Sequence, residues 1–168
     1  FFASDFINDN TGYIAGDVVL KTTNGGTSWF VIRNDYSPGV DFVDNTTGYA
    51  FKHSGIIKTT NGGWNWISVY YEADLYSPSL YFLNSLTGFA TGWDNYTNLL
   101  KTTNGGLNWY RPQIGSYFGD FLNKIVFIND ITGFIAGGYS YFYKTTDQGE
   151  HWFEQTIPYF TSKSVCFL

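Results

Sequence analysis

The most regularly spaced residues in the chain are also ones that could form an active-site string. Lys-Thr-Thr-Asn-Gly-Gly occupies 21–26, 58–63 and 101–106, and a variant, Lys-Thr-Thr-Asp-Gln-Gly, occupies 144–149. A Trp follows each block, at 29, 66, 109 and 152. Acid–base work would need a carboxyl at the Asx position in every copy. Only Asp147 supplies one; Asn24, Asn61 and Asn104 stand at the others. An amide makes the same turn bonds as a carboxylate but cannot replace a catalytic acid. Asn followed by Gly is a strong hairpin signal, because the Asx oxygen accepts backbone N–H groups and Gly takes the positive φ. The expected role is therefore a structural turn. Its members are Thr22, Asn24, Gly26 and Trp29; Thr59, Asn61, Gly63 and Trp66; Thr102, Asn104, Gly106 and Trp109; and Thr145, Asp147, Gly149 and Trp152.

Other reactive side chains form no recognisable constellation. Asp35, Glu72, Asp74, Asp94 and Asp120 lie in variable stretches. A glycoside hydrolase needs two carboxylates facing across a cleft, a geometry that spacing along the chain does not show. Solvated loop carboxylates are the simpler account. His53 and His151 have no partner pattern, and neither a G-x-S-x-G elbow nor a phosphate-binding loop occurs. The Asp-bearing turns lack EF-hand or RTX spacing. Cys166 is the single cysteine, which rules out an internal disulfide framework or a Cys-based zinc site. The sequence thus assigns no catalytic residue, no cofactor and no metal.

These residues need elements to hold them, and the repeat supplies them. The four Trp are 37, 43 and 43 residues apart. A Thr-Gly-aromatic triplet (11–13, 47–49, 87–89, 132–134) keeps step, with its glycines 36, 40 and 45 apart. Within one unit, Ile125–Ile128, Phe134–Gly137, Tyr141–Thr145 and a run from Trp152 read as four short strands joined by turns. No stretch carries helical periodicity. Four antiparallel strands every ~40 residues predict an all-β propeller of four-stranded blades. The expected blades are roughly 1–34, 35–74, 75–119 and 120–160, with 161–168 opening a fifth. This predicts a piece of a longer chain and a whole ring of about six to eight blades, supplied by further blades of the same chain.

Written out, Thr-Thr-Asn-Gly-Gly-x-x-Trp resembles the Asp-box, or BNR repeat. The full unit of aromatic strand, Thr-Gly-Tyr/Phe, Ala-Gly and Lys-Thr-Thr-Asn-Gly-Gly-x-x-Trp is similar to the repeats of the photosystem II stability/assembly factor family and its secreted bacterial relatives. The resemblance covers essentially all 168 residues. It implies a β-propeller and a secreted, cell-surface or periplasmic location. Plant and cyanobacterial members are expected to carry an arginine-rich patch, and this chain has only Arg33 and Arg111. Asp-box sialidases use three arginines, so that activity does not fit here. Asp-box xyloglucanases divide their catalytic acids over a larger protein, which leaves a hydrolase segment as an alternative, beside an assembly factor for a membrane complex.

Composition agrees with this frame. Aromatics are 21% and charged residues 14%, the opposite of a disordered segment. The net charge of −5 and the lack of a basic run exclude a nucleic-acid reader. No apolar run approaches the ~20 residues of a membrane span. In blade topology the Lys-Thr-Thr-Asn hairpins and the first-to-second-strand turns share one face. The opposite face collects loops that do not repeat and are aromatic. Tyr36, Tyr71, Tyr76, Trp93, Asp94, Tyr96, Tyr117, Tyr139 and Tyr141 are its candidate ligand contacts. A flat ring with a polar tip suits a glycan or a peptide; packing between blades would employ the same rings. The expected function is non-enzymatic recognition or scaffolding of a protein or glycan partner.

Overall fold

The structure is a computed structural model. It describes residues 3–53, 55–71, 76–93, 99–115, 122–138 and 141–156, with the backbone alone for 76–78 and 93. Every regular element in it is a strand. The first sheet is β1 (Ala3–Phe6), β2 (Gly12–Ala15), β3 (Val19–Thr22) and β4 (Phe30–Arg33), antiparallel and in chain order. The second is β5 (Val40–Phe42), β6 (Gly48–Lys52), β7 (Gly55–Thr59) and β8 (Ile67–Tyr71). The third holds β9 (Tyr76–Phe82), β10 (Gly88–Trp93) and β11 (Leu99–Thr102). A short strand, β12 (Gln113–Ile114), precedes the fourth sheet of β13 (Leu122–Phe127), β14 (Gly133–Gly137), β15 (Phe142–Thr145) and β16 (His151–Glu154).

The third blade departs from the expected four strands. Tyr110 begins a fourth strand by exchanging two backbone bonds with Lys101, at 2.8 and 2.9 Å. Two residues on, Pro112 lacks the N–H that the same side of the ladder would use next. The chain leaves the blade there. Gln113 and Ile114 then pair in parallel with His151 and Trp152 of the fourth blade. The Gln113 N–H donates to the Glu150 carbonyl and the Gly115 N–H to that of Trp152. A strand expected to complete one blade instead lines the outer edge of the next.

The hydrophobic cores lie between consecutive sheets, one per seam. One joins Tyr13, Ala15, Val40, Phe42, Ala50 and Ile57. The next centres on Tyr49, Phe51, Leu80, Phe82 and Leu100. The last contains Phe89, Leu99, Ile125, Phe127, Ile135, Tyr143 and Trp152. Each blade is therefore stable only against its neighbours, the usual condition of a repeat architecture.

The Thr-Gly-aromatic triplet explains itself at these seams. Its aromatic stacks on the first-strand Phe of the next blade: Tyr13 on Phe42 at 3.4 Å, Tyr49 on Phe82 at 3.6 Å and Phe89 on Phe127 at 4.9 Å between ring centres. The Trp after each turn meets the Phe of its own blade edge-on, at 6.0, 5.9, 6.0 and 5.8 Å for Trp29, Trp66, Trp109 and Trp152. The edge-on Trp contacts have the geometry that the ring quadrupole favours, whereas Tyr13 on Phe42 and Tyr49 on Phe82 lie nearly face to face. The glycine makes room for the sandwiched ring. A Cβ on Gly88 would come within 2.3 Å of the Phe82 ring.

The repeated lysine joins blades as well. Lys21 Nζ donates to the carbonyl of Gly62 (3.0 Å), Lys58 Nζ to Gly105 (2.8 Å) and Lys101 Nζ to Gln148 (2.8 Å), each in the following blade's turn. Each ammonium also lies over the aromatic opposite it on the neighbouring strand, 5.2 to 5.5 Å from the ring centre. Near the inner edge, Asp5 accepts the Phe42 N–H and Asp41 the Phe82 N–H. Tyr81, the aligned residue of the third blade, reaches the Phe127 carbonyl with its hydroxyl.

Candidate functional site

The repeated turns form the same bonds four times. Thr22 Oγ1 accepts the N–H groups of Asn24 (3.3 Å) and Gly26 (3.0 Å) and donates to Asn24 Oδ1 (3.0 Å). Asn24 Oδ1 accepts the Ser28 N–H, and the Trp29 indole donates to the Gly26 carbonyl at 3.1 Å. Thr59, Asn61, Gly63 and Trp66 reproduce the set, as do Thr145, Asp147, Gly149 and Trp152. Thr102, Asn104 and Gly106 do the same, but the Trp109 indole N–H is buried with no acceptor among the described residues. Gly25 and Gly26 take φ of +66° and +85°. In the fourth turn Gln148 occupies the first of these left-handed positions at +60°.

Asp147 differs electrostatically from the three asparagines. Burial opposes its charge, but the backbone N–H and ring of His151 and the Thr145 hydroxyl hold its carboxyl down to about 2. The His151 ring nitrogen lies 2.7 Å from it. The pair is exposed and sits within the turn.

The turns between first and second strands form a second row beside the first, with capping residues that the sequence reading did not name. Asn8, Asp44, Asn84 and Asn129 each cap the turn between first and second strands by accepting two N–H groups with Oδ1. Bonds such as Gly62 N–H to Thr46 O and Gly105 N–H to Leu86 O tie the two rows together. The signal was available: Asn or Asp stands three residues before each Thr-Gly. A cleft of about 440 Å³ opens between Phe42–Asp44 and Phe82–Ser85 on this side. Asp44 is held below the usual carboxylate range by its hydrogen bonds to Thr46 and Thr47, against the effect of burial.

The opposite, loop side holds those predicted ligand contacts that fall within the described residues. The Ser37 N–H donates to the Gly16 carbonyl, which brings the first blade-to-blade loop beside the β2–β3 loop. Tyr36 is 47% exposed and Tyr71, at the end of β8, is 77% exposed. Tyr141 is half-buried, its ring parallel to that of Tyr143 at 6.2 Å. Tyr76 and Trp93 are cross-strand partners at the bulged end of β9 and β10. Asp94, Tyr96, Tyr117 and Tyr139 lie outside the described residues, as do Glu72, Asp74 and Asp120. Asp35 is paired with Arg33 at 2.6 Å.

Some exposed apolar surface appears where the sequence reading did not place it. Trp64, 63% exposed, stacks on Phe30 of the preceding blade at 5.8 Å. Leu107 stands at the aligned turn position and is 75% exposed. At that position the fourth blade has Glu150, which accepts from Lys101 Nζ and the Tyr110 hydroxyl. The residue after the last glycine of each turn thus differs in every blade: Thr27, Trp64, Leu107 and Glu150.

On the inner strands Asp41 is raised well above the carboxylate range by burial, with Asp5 adding repulsion. The Phe82 N–H and Lys124 act in the other direction. Burial also raises Asp5, opposed by the Phe42 N–H and Lys124. Among the described residues no three His, Cys, Asp or Glu side chains are grouped to hold a metal ion, and no helix is long and apolar enough to cross a membrane.

Solved structures share this arrangement of blades. An ancestral GH74 enzyme superposes with a TM-score of 0.71 at 19% identity, over 89% of this chain and 23% of that one. YCF48 from Cyanidioschyzon merolae gives 0.70 at 19% identity, over 94% of this chain and 56% of that one. The fold is that of a β-propeller. A third propeller, YCF48 bound to a D1 peptide, gives 0.54 at 15% identity, over 91% of this chain and 81% of that one. The propeller here thus spans less than two thirds of the first two chains. No family model and no curated protein matches its sequence.

Proposed function

We propose that this propeller is a non-enzymatic recognition or scaffold module that binds a protein partner through the aromatic side chains of its loop face. The observation that carries the reading is the division of labour between the two kinds of residue. The repeated residues are taken up in turns and seams, whereas Tyr36 and Tyr71, which do not repeat, are exposed among the loops. Large rings with a hydroxyl tip are favoured in protein recognition surfaces. The described acids of the inner strands and turns are already used in the fold. Asp5, Asp41, Asp44, Asp147 and Glu150 are engaged in backbone, turn or lysine contacts. One propeller of similar fold is described as bound to a D1 peptide, which supports a peptide as the partner class. A secreted, cell-surface or periplasmic setting belongs to the same proposal.

Arrays of peptides and of oligosaccharides test the reading. Peptide binding that Tyr36→Ala or Tyr71→Ala abolishes is expected; binding to glycans alone would replace the partner class. A second reading, part of a glycoside hydrolase, is favoured by the likeness to GH74 enzymes, one of them described as a xyloglucanase. Release of reducing sugar from xyloglucan, lost on mutating a loop acid such as Asp94 or Asp120, would establish that reading and overturn the first.

A further inference from the structure

We propose that the outer edge of the second blade, where β8 begins, is a docking site for an extended peptide of the pattern Pro-x-Ile-Gly that adds to the sheet as a parallel strand. The fourth blade shows the arrangement within the same molecule. There β12 lies along β16, with the Gln113 N–H donating to the Glu150 carbonyl (3.2 Å) and the Gly115 N–H to that of Trp152 (3.1 Å). Side chains alternate along it. Pro112 is buried and Ile114 packs against the cluster that holds Trp152, while Gln113 is exposed. In strand addition the main-chain bonds give affinity and the inward side chains give selectivity.

The second blade offers the same edge without the added strand. Trp64 and Trp66 align with Glu150 and Trp152, and neither of their carbonyls has a hydrogen-bond partner among the described residues. β8 is the last strand of its sheet, and β4, the strand that precedes this blade, completes the first sheet rather than crossing over. The tryptophans register the difference. Trp152, beside β12, is 1% exposed, whereas Trp66 is half-buried. An unpaired edge of this kind is a template for another chain.

Apolar side chains flank this edge. Trp64 and Ile67 are each 63% exposed, whereas the first blade has Thr27 at the turn position. Trp64 gives an arriving proline an aromatic neighbour where the fourth blade has Glu150. The site lies at the turn end of β8, at the other end of the strand from Tyr71, and so is separate from the loop face.

NMR titration of the isotope-labelled chain with an end-blocked peptide, Arg-Pro-Gln-Ile-Gly, tests this; the peptide carries the sequence of residues 111–115. Two hydrogen bonds and a short apolar contact correspond to a dissociation constant of about 1 mM, weaker than a washed array retains. Saturable shifts are expected at the Trp66 amide and the first residues of β8. Methylating the peptide's Gln and Gly nitrogens removes both donors and should weaken binding about tenfold or more. Methylating the Ile nitrogen, which by strand alternation points away from β8, should leave binding unchanged. Absence of binding overturns the proposal. So do shifts centred on β16 or on Tyr36, or equal binding by the peptide methylated at Gln and Gly.

Discussion

Thr102 and Asn104 show what the repeated turn asks of its residues. The Asn104 oxygen gathers the Asn108 N–H and the Thr102 hydroxyl. A carboxylate would do so equally well, as Asp147 does in the fourth turn. Asn104→Asp should therefore leave the melting temperature nearly unchanged, while Asn104→Ala should lower stability by about 1 kcal/mol. Equal losses from both would mean the amide nitrogen matters and the turn has been misread. Gln148 is the complementary case. It holds a left-handed φ of +60° where the other turns have Gly. Relieving that conformation in Gln148→Gly should stabilise the chain by up to about 1 kcal/mol, measured by urea unfolding. At this scale the turn was legible in the sequence, since Asn-Gly and the following Trp encode it locally. The lysine was not. Its partner is a carbonyl 41 to 47 residues away, and no local pattern names it.

The strands and their seams carry most of the stability. Phe82 is enclosed by the Tyr49 ring, the Trp109 edge and Gly88. Phe82→Ala should cost about 3–5 kcal/mol, and Gly88→Ala about 1–3 kcal/mol from overpacking, both read from denaturant midpoints. A small effect of Gly88→Ala would show that the ring has room the structure denies it. The count of strands and their order followed from the period, because each blade repeats its turn signals. The exception came from one residue. Pro112 interrupts the third blade's fourth strand, and β12 crosses to β16. Proline was visible in the sequence, but the acceptor edge it would find was not. Gln113→Pro removes the N–H that bonds the Glu150 carbonyl. Hydrogen exchange should then quicken at Gly115 and along β16 while the first two blades keep their protection; uniform loss would indicate that β12 is needed for the whole fold.

Across the molecule, opposed carboxylates set the response to pH. Asp5 and Asp41 are raised, so the stability they contribute is present below the ordinary carboxylate range and is lost as pH rises through their folded values. Asp147, Asp44 and Glu150 are lowered, so theirs is present above that range and lost as pH falls. Asp41→Asn keeps an acceptor for the Phe82 N–H without the buried charge. It should be more stable than wild type at neutral pH, with the advantage shrinking as the solution is brought down to about pH 4. An advantage that grows on acidification would contradict the sign given to Asp41. The propeller was legible as a whole because the repeated residues are the seams themselves. The proposed binding face was less so, since exposure of Tyr36 and Tyr71 depends on neighbours brought together only by the fold.

The most direct measurement is binding to a peptide array by three forms of the chain: wild type, Tyr36→Ala/Tyr71→Ala, and the turn variant Asn104→Asp. Wild type and the turn variant should bind the same peptides, and the double loop variant should lose them with its melting temperature unchanged. Retained binding in the loop variant, or its loss in the turn variant at full stability, would place recognition on the repeated turns and contradict the account.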